Sequence, residues 1–133
     1  MRLKLNPLRV NVQDKRVVLI DDSPVRGTTS ARIIRALREA GARKMHLRVS
    51  SPPFRHPCHF GTDIDSEDHL IANQLDVEQI RERVGADSLG YIRVEGPVRA
   101  CRDCRLPFCT GCFTGRYGAE SGEGGSKFSL EQA

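Results

Sequence analysis

The stretch that decides the fold is Val17–Thr29, with the sequence VVLIDDSPVRGTT. Four apolar residues, three of them β-branched, lead directly into the carboxylates of Asp21 and Asp22. A short apolar run of this kind predicts a buried strand, here over residues 16–22. The polar loop behind it leads into a segment with apolar residues at helical spacing, which predicts a helix over Thr29–Ala40.

The rest of the chain predicts an α/β domain with a parallel sheet. Gly41 is expected to cap the first helix, because glycine favours the left-handed conformation that ends many helices. Alternating apolar residues predict a second strand over 44–50, a second helix is predicted over 75–84, and 89–94 is predicted as a short strand or extended edge. A strand, helix and strand within about 35 residues form a βαβ unit, and such units carry parallel strands.

Composition narrows the class of protein. The chain has 133 residues, 38% of them hydrophobic, and a formal charge of +4. No apolar run approaches the roughly 18 residues of a membrane span, and the start of the chain is too short and polar for a signal peptide. We therefore expect a cytoplasmic protein without membrane contact. Aromatic residues are only 5%, so we interpret the basic residues near the first helix as a solvated face rather than a nucleic-acid site; they are Arg32, Arg35, Arg38, Arg43 and Lys44.

The acidic–glycine loop suits a sugar phosphate. In open α/β sheets, ligands bind beyond the carboxyl ends of the strands, where Asp21 and Asp22 are placed. The helix that follows offers free N–H groups and a positive dipole end to a phosphate, and Gly27 lets the backbone approach closely. Paired carboxylates suit ribose hydroxyls or Mg²⁺. The alternative is an ordinary strand-to-helix turn with acidic capping residues.

Four of the five cysteines follow the pattern C-x2-C-x4-C-x2-C, from Cys101 to Cys112. Disulfides are improbable in the cytoplasm, and a zinc ribbon usually has about 15–20 residues between its cysteine pairs. Thiolates suit an iron–sulfur centre or a compact zinc site. Unligated thiols are the remaining alternative.

The segment VLIDDSPVRGTTS resembles the 5-phosphoribosyl-1-diphosphate (PRPP) motif of type I phosphoribosyltransferases, in the version found in amidophosphoribosyltransferases. Further likeness to that family lies in four other segments: RLKLNPLR, SPPFRHPCHFGTDI, the residues Val84–Tyr91, and CFTGRY at the end of the cysteine-rich part. The resemblance covers about residues 3–117.

The resemblance implies a partial type I phosphoribosyltransferase fold, a parallel sheet with flanking helices, followed by a cysteine-rich segment. Residues 118–133 are rich in Gly, Ser and Glu, which predicts a disordered tail. The resemblance implies domain boundaries at 1–95 for the transferase part and 96–117 for the cysteine-rich segment. It also implies that Asp21 and Asp22 hold Mg²⁺ and PRPP. The full set of implied PRPP-binding residues is Asp21, Asp22, Ser23, Arg26, Gly27, Thr28 and Thr29. Pro24 departs from the branched apolar residue usual there and removes a backbone N–H.

The same resemblance implies a [4Fe–4S] cluster. Its ligands in this chain would be Cys58, Cys109 and Cys112, with the fourth upstream of the sequence given. Cys101 and Cys104 would then be bystanders. His56 and His59, which flank Cys58, are interpreted as loop residues.

The implied reaction is the first committed step of purine synthesis, in which ammonia from glutamine displaces pyrophosphate from PRPP. The implied partners are PRPP, glutamine or ammonia, purine nucleotide inhibitors and further copies of the full-length protein. The glutaminase part is missing, so we expect a carboxyl-terminal fragment that is inactive alone, and we assign no catalytic residue in it. The alternatives are a non-catalytic PRPP-binding regulator and a phosphoribosyltransferase acting on a free base. The CFTGRY segment argues against both.

Overall fold

The computed structural model describes residues 7–23, 25–58, 60, 64, 66–103 and 108–117. These residues contain one sheet of three parallel strands in the order β1-β2-β3, namely β1 (Arg16–Asp21), β2 (Lys44–Val49) and β3 (Ser88–Tyr91). Their helices are α1 (Arg9–Val12), α2 (Thr28–Glu39), α3 (Ile71–Gln74), α4 (Val77–Val84), α5 (Glu95–Ala100) and α6 (Gly111–Thr114), and a 3₁₀ turn covers Glu67–His69. The predicted parallel α/β architecture is confirmed.

Helix α2 follows β1 as predicted, with its bounds shifted by one residue at each end. At its carboxyl end, Gly41 has φ +99° and donates its N–H to the carbonyl of Arg38, while Ala42 donates to Leu37. These two bonds form the Schellman arrangement, which satisfies carbonyls that the helix leaves without partners. The predicted role of Gly41 is therefore confirmed.

Helix α4 begins two residues later than predicted because Asp76 caps it. The Asp76 carboxylate accepts the N–H of Gln79 at 2.8 Å, and the Gln79 side chain accepts the N–H of Asp76 at 2.9 Å. This reciprocal capping box fixes the start of the helix. Ile80 and Val84 are buried, whereas Val77 is 45% exposed and does not join the apolar face.

The hydrophobic core lies on one face of the sheet, between the strands and helices α2 to α4. Its buried members are Ile34, Met45, Leu47, Val49, Ile71, Ile80, Val84 and Ala86. All the inward side chains of β2 belong to this core, so β2 is the strand that organises it.

The prediction that β1 is a buried strand is wrong for one of its faces. Val17 and Leu19 pack against the core, but Val18 is 58% and Ile20 73% exposed. Side chains alternate between the two faces of a strand, and the described helices of the core cover only one of them. In addition, β1 lies at the edge of this sheet.

Asp87 joins the start of β2 to the segment before β3. Its carboxylate accepts the Met45 N–H at 2.7 Å, Arg38 at 2.9 Å and Lys44 at 3.1 Å. Arg38 also donates to the Gly85 carbonyl. Two of the basic residues near α2, Arg38 and Lys44, therefore link α2 and β2 to the segment before β3.

The strand that follows, β3, ends at Tyr91, three residues before the predicted end.

Some predictions lie outside the described residues: the tail 118–133, Pro24, His59 and Cys104. Among the described residues, none of the helices has the length and apolar character that a membrane span requires.

Candidate functional site

The paired carboxylates lie at the carboxyl end of β1, beside the start of α2. Asp21 is the last residue of the strand and is half-buried, and Asp22 is exposed. The N–H of Ser50, just beyond β2, donates to the carbonyl of Asp21 at 2.9 Å and so continues the parallel pairing one residue past the end of β2. This edge of the sheet is where α/β proteins of this kind bind ligands.

Ser30 holds Asp21 in place. Its hydroxyl donates to Asp21 Oδ2 at 2.6 Å, and the Ser30 residue is only 1% exposed. A hydrogen bond to a charged carboxylate is stronger than one between neutral groups, so the Asp21 side chain is oriented toward the first turn of α2. Sequence reasoning assigned no role to Ser30. The sequence does carry one sign of this role: Ser30 lies four residues before Ile34, which places its hydroxyl on the buried face of the helix.

Gly27 shapes the loop between β1 and α2. It is buried, adopts φ +70° at the amino end of α2, and lies so close to Ile71 that a Cβ would be 2.7 Å from Ile71 Cδ1. The N–H of Ile71 donates to the Val25 carbonyl at 3.0 Å. The start of helix α3 therefore packs against the loop and is hydrogen-bonded to it. The sequence did not indicate this contact.

The structure places all seven predicted PRPP-binding residues on this one turn, from the end of β1 to the first turn of α2. Among them, Arg26, Thr28 and Thr29 are exposed, and no side chain caps the amino end of α2. Ser23 donates to Asp22 Oδ1 over a long 3.4 Å. The turn thus presents hydroxyls, a guanidinium and helix N–H groups next to two carboxylates, which is the chemistry needed for a phosphorylated polyol.

The three cysteines predicted as cluster ligands are neighbours in space. The pKa of the Cys112 thiol is raised above its ordinary value, first by burial and then by the nearby Cys58 and Cys109 thiols. Cys58 and Cys112 are half-buried and Cys109 is exposed. Cys101 directly follows α5, and its thiol does not contribute to this effect on Cys112.

Backbone contacts hold the two cysteine-bearing segments together. The N–H groups of Arg55 and His56 both donate to the Cys112 carbonyl, at 2.9 and 3.1 Å. The rings of Phe54 and Phe113 pack with their centroids 4.9 Å apart. His56 pairs with Glu67 at 3.1 Å, consistent with its interpretation as a loop residue.

In the described part of the chain, no three His, Cys, Asp or Glu side chains converge on one point as ligands of a single metal ion would. A [4Fe–4S] cube has a different requirement, because each thiolate binds a different iron of the cluster.

Comparisons with known proteins identify the relatives of this chain. No family model matches it. It is 50% identical over 117 residues to the amidophosphoribosyltransferase of Synechococcus elongatus, and 48% identical over 124 residues to that of Bacillus subtilis. The chain is homologous to part of the amidophosphoribosyltransferases. These alignments cover 88% and 90% of this chain but only 24% and 26% of the relatives, so the chain spans about a quarter of their length.

Solved structures agree with this assignment. The glutamine PRPP amidotransferase of B. subtilis, complexed with ADP and GMP, matches with a TM-score of 0.80 and 47% identity, covering 90% of this chain and 27% of that one. A structure described as the allosteric regulatory enzyme of purine biosynthesis matches with a TM-score of 0.81 and 46% identity, with the same coverage. The predicted partial phosphoribosyltransferase fold is thereby confirmed.

Proposed function

We propose that this chain is the carboxyl-terminal part of an amidophosphoribosyltransferase and supplies the PRPP-binding loop of the transferase site. In the complete protein, ammonia from glutamine would displace pyrophosphate from C1 of PRPP to give 5-phosphoribosylamine. The observation that carries the proposal is the turn from β1 to α2, where Asp21 and Asp22 adjoin an uncapped helix start. The match to amidophosphoribosyltransferases at 50% identity supports it.

Each part of the turn has a distinct role in this proposal. The first-turn N–H groups of α2, with the hydroxyls of Thr28 and Thr29, would bind the 5-phosphate, and Gly27 keeps that approach open. Asp22 is exposed and would contact the ribose hydroxyls and the metal directly. Asp21, with one oxygen bound by Ser30, would offer its other oxygen.

Magnesium fits the donor set of Asp21 and Asp22, because carboxylate oxygens are the ligands that this hard cation prefers. Bound there, it would neutralise charge on the departing diphosphate. The chain's own contribution is electrostatic preorganisation, since Ser30 and the helix start are already oriented before the ligand arrives.

The iron–sulfur cluster is the second part of the proposal. Cys58, Cys109 and Cys112 would hold three irons of a [4Fe–4S] cluster, and a cysteine outside this chain would hold the fourth. The hydrogen bonds from Arg55 and His56, near Cys58, to the Cys112 carbonyl support this ligand set, because they bring the two cysteine-bearing segments together. Thiolate ligands of this kind belong to a reducing compartment, so we place the protein in the cytoplasm. Purine nucleotides as inhibitors and a homo-oligomeric full-length protein complete the proposal.

Mutation of the turn tests the transferase assignment in a full-length protein that contains this chain. Asp22→Asn should sharply lower transferase turnover while glutamine hydrolysis continues, because it removes a charge directed at Mg–PRPP. Thr28→Val should raise the PRPP concentration needed, since it deletes a hydroxyl with little change of shape. Asp103→Asn is the matched control, because that side chain is 96% exposed and lies in the cysteine-rich segment. Near-normal turnover and PRPP dependence in both site variants would exclude the assignment.

The same protein tests the rival functions. A PRPP-binding regulator would bind Mg–PRPP without releasing pyrophosphate, and a base-specific transferase would release it with a free purine or pyrimidine but not with ammonia. Pyrophosphate release dependent on glutamine or ammonia would therefore decide among the three.

Iron and sulfide analysis tests the cluster. The full-length protein should lose the cluster on Cys109→Ser and retain it on Cys101→Ser, which removes another thiol of the cysteine-rich segment outside the proposed ligand set. Retention in both variants would show that the ligand set is wrong.

A further inference from the structure

Tyr117 connects the segment of Cys58 with the segment of Cys112, and it does so through the residue directly before each cysteine. Its hydroxyl donates to the carbonyl of Pro57 at 2.6 Å, so it is bound to the residue directly before Cys58. Its ring also packs near Phe60, with centroids 6.4 Å apart. One side chain near the end of the described chain thus fixes the backbone that presents Cys58.

The same ring lies against Gly111, the residue directly before Cys112. Gly111 is buried, and a methyl group there would overlap the Tyr117 ring atoms. The ring therefore occupies the space that any larger residue at 111 would need. Through one face it contacts the segment of Cys112, and through its hydroxyl the segment of Cys58.

Tyr117 is also close to all three candidate ligands. Burial raises the pKa of its hydroxyl above the ordinary value, and Cys112, Cys58 and Cys109 raise it further.

We propose that Tyr117, packed on Gly111 and bonded to Pro57, is the positioning residue of the cysteine site: it holds Cys58 and Cys112 at a set separation and covers them against solvent. We call this arrangement the Tyr117 clasp. The inference rests on the proposed cluster for its purpose, but the positioning itself is a property of this chain alone. Tyr117 touches the ligand-bearing backbone rather than acting as a ligand.

The test measures thiol accessibility in the 133-residue chain, reduced and under anaerobic conditions at constant pH. Iodoacetamide alkylation of each cysteine is followed by peptide mass spectrometry. Tyr117→Phe keeps the ring and removes one hydrogen bond, which corresponds to about a fivefold change in an opening equilibrium. We expect alkylation of Cys58 and Cys112 to be about fivefold faster in this variant, and at least tenfold faster in Gly111→Ala, where the ring is displaced.

Two controls make the result specific. Tyr91→Phe removes the hydroxyl of the other tyrosine, which forms no hydrogen bond to the described residues of either cysteine segment, and should leave these rates unchanged. Cys101 is an internal reference, because its rate should not change in Tyr117→Phe. If Gly111→Ala unfolds the chain, circular dichroism will show it, and Tyr117→Phe alone then decides.

Rates at Cys58 and Cys112 within twofold of the unmodified chain in Tyr117→Phe would overturn the clasp, as would an equal rise at Cys101. A second measurement separates this from the cluster proposal. If the full-length protein takes up no iron and sulfide, the cluster is wrong while a positive alkylation result still supports the clasp. If it does take them up, Tyr117→Phe should lose the cluster in air several times faster.

Discussion

Replacement of Asp87 by asparagine removes the charge that joins α2, β2 and the segment before β3. The pKa of Asp87 is lowered from 3.8 to about 2, first by the Met45 N–H, with burial opposing, and then by Lys44 and Arg38. At about 1.4 kcal/mol per pKa unit, this lowering corresponds to about 2.5 kcal/mol of folding stability as an upper value. Arg38 and Lys44 are 40% and 52% exposed, so water screens their share, and we expect Asp87→Asn to cost about 1–2 kcal/mol at pH 7.

The pH dependence has a definite sign. Because the pKa of Asp87 is lower in the folded chain than in the unfolded chain, its contribution is fully present above about pH 4. It is lost as the pH falls through the folded value of about 2. The asparagine variant does not titrate at this position, so the stability difference between the two proteins should shrink between pH 4 and pH 2.

Urea unfolding followed by circular dichroism at pH 7, 5, 3 and 2.5 measures this difference. Asp103→Asn is the control, since the Asp103 side chain is 96% exposed and its loss should change the free energy of unfolding by less than about 0.5 kcal/mol. Equal urea midpoints for Asp87→Asn and the unmodified chain at pH 7, or a difference that grows as the pH falls, would refute the reasoning.

Two further predictions concern packing and use the same unfolding measurement. Gly27→Ala should cost clearly more than Gly85→Ala: both positions have positive φ, at +70° and +77°, but only a Cβ at 27 meets another atom within 3 Å. The left-handed backbone alone costs about 1–2 kcal/mol, so equal losses would show that the contact with α3 does not constrain the loop. Leu47→Ala should cost about 2–5 kcal/mol because Leu47 is fully buried, whereas Ile20→Thr, at a position 73% exposed, should cost less than about 1 kcal/mol; similar losses would contradict the one-sided sheet.

Local patterns predicted the elements whose ends carry their own signals. The helix after the acidic pair was predicted to within one residue at each end. Its carboxyl end is marked by Gly41, because glycine readily adopts the left-handed backbone conformation found there. The start of α4 was misplaced by two residues, although Asp76 and Gln79 are both visible in the sequence. A capping box is a local signal, so this boundary was within reach of the sequence.

The two faces of β1 show where local patterns fail. The run from Val17 to Ile20 is apolar throughout, so its composition cannot distinguish a strand covered on both faces from one covered on a single face. Which face is covered depends on where the helices pack, and two of them, α3 and α4, lie far from β1 in sequence. Only the packing of α2 to α4 shows that Val18 and Ile20 remain exposed.

The sequence by itself determined the parallel α/β class, the position of the acidic–glycine turn and, through resemblance, its proposed ligand, since these depend on residues that are adjacent in the chain. The tertiary structure decided what supports that turn and the cysteines: Ser30 on Asp21, Ile71 beneath Gly27, and Tyr117 between Pro57 and Gly111. The hydrogen bond from Tyr117 to Pro57 joins residues 60 positions apart. Contacts of that kind depend on how the chain returns upon itself, which no local periodicity or spacing records.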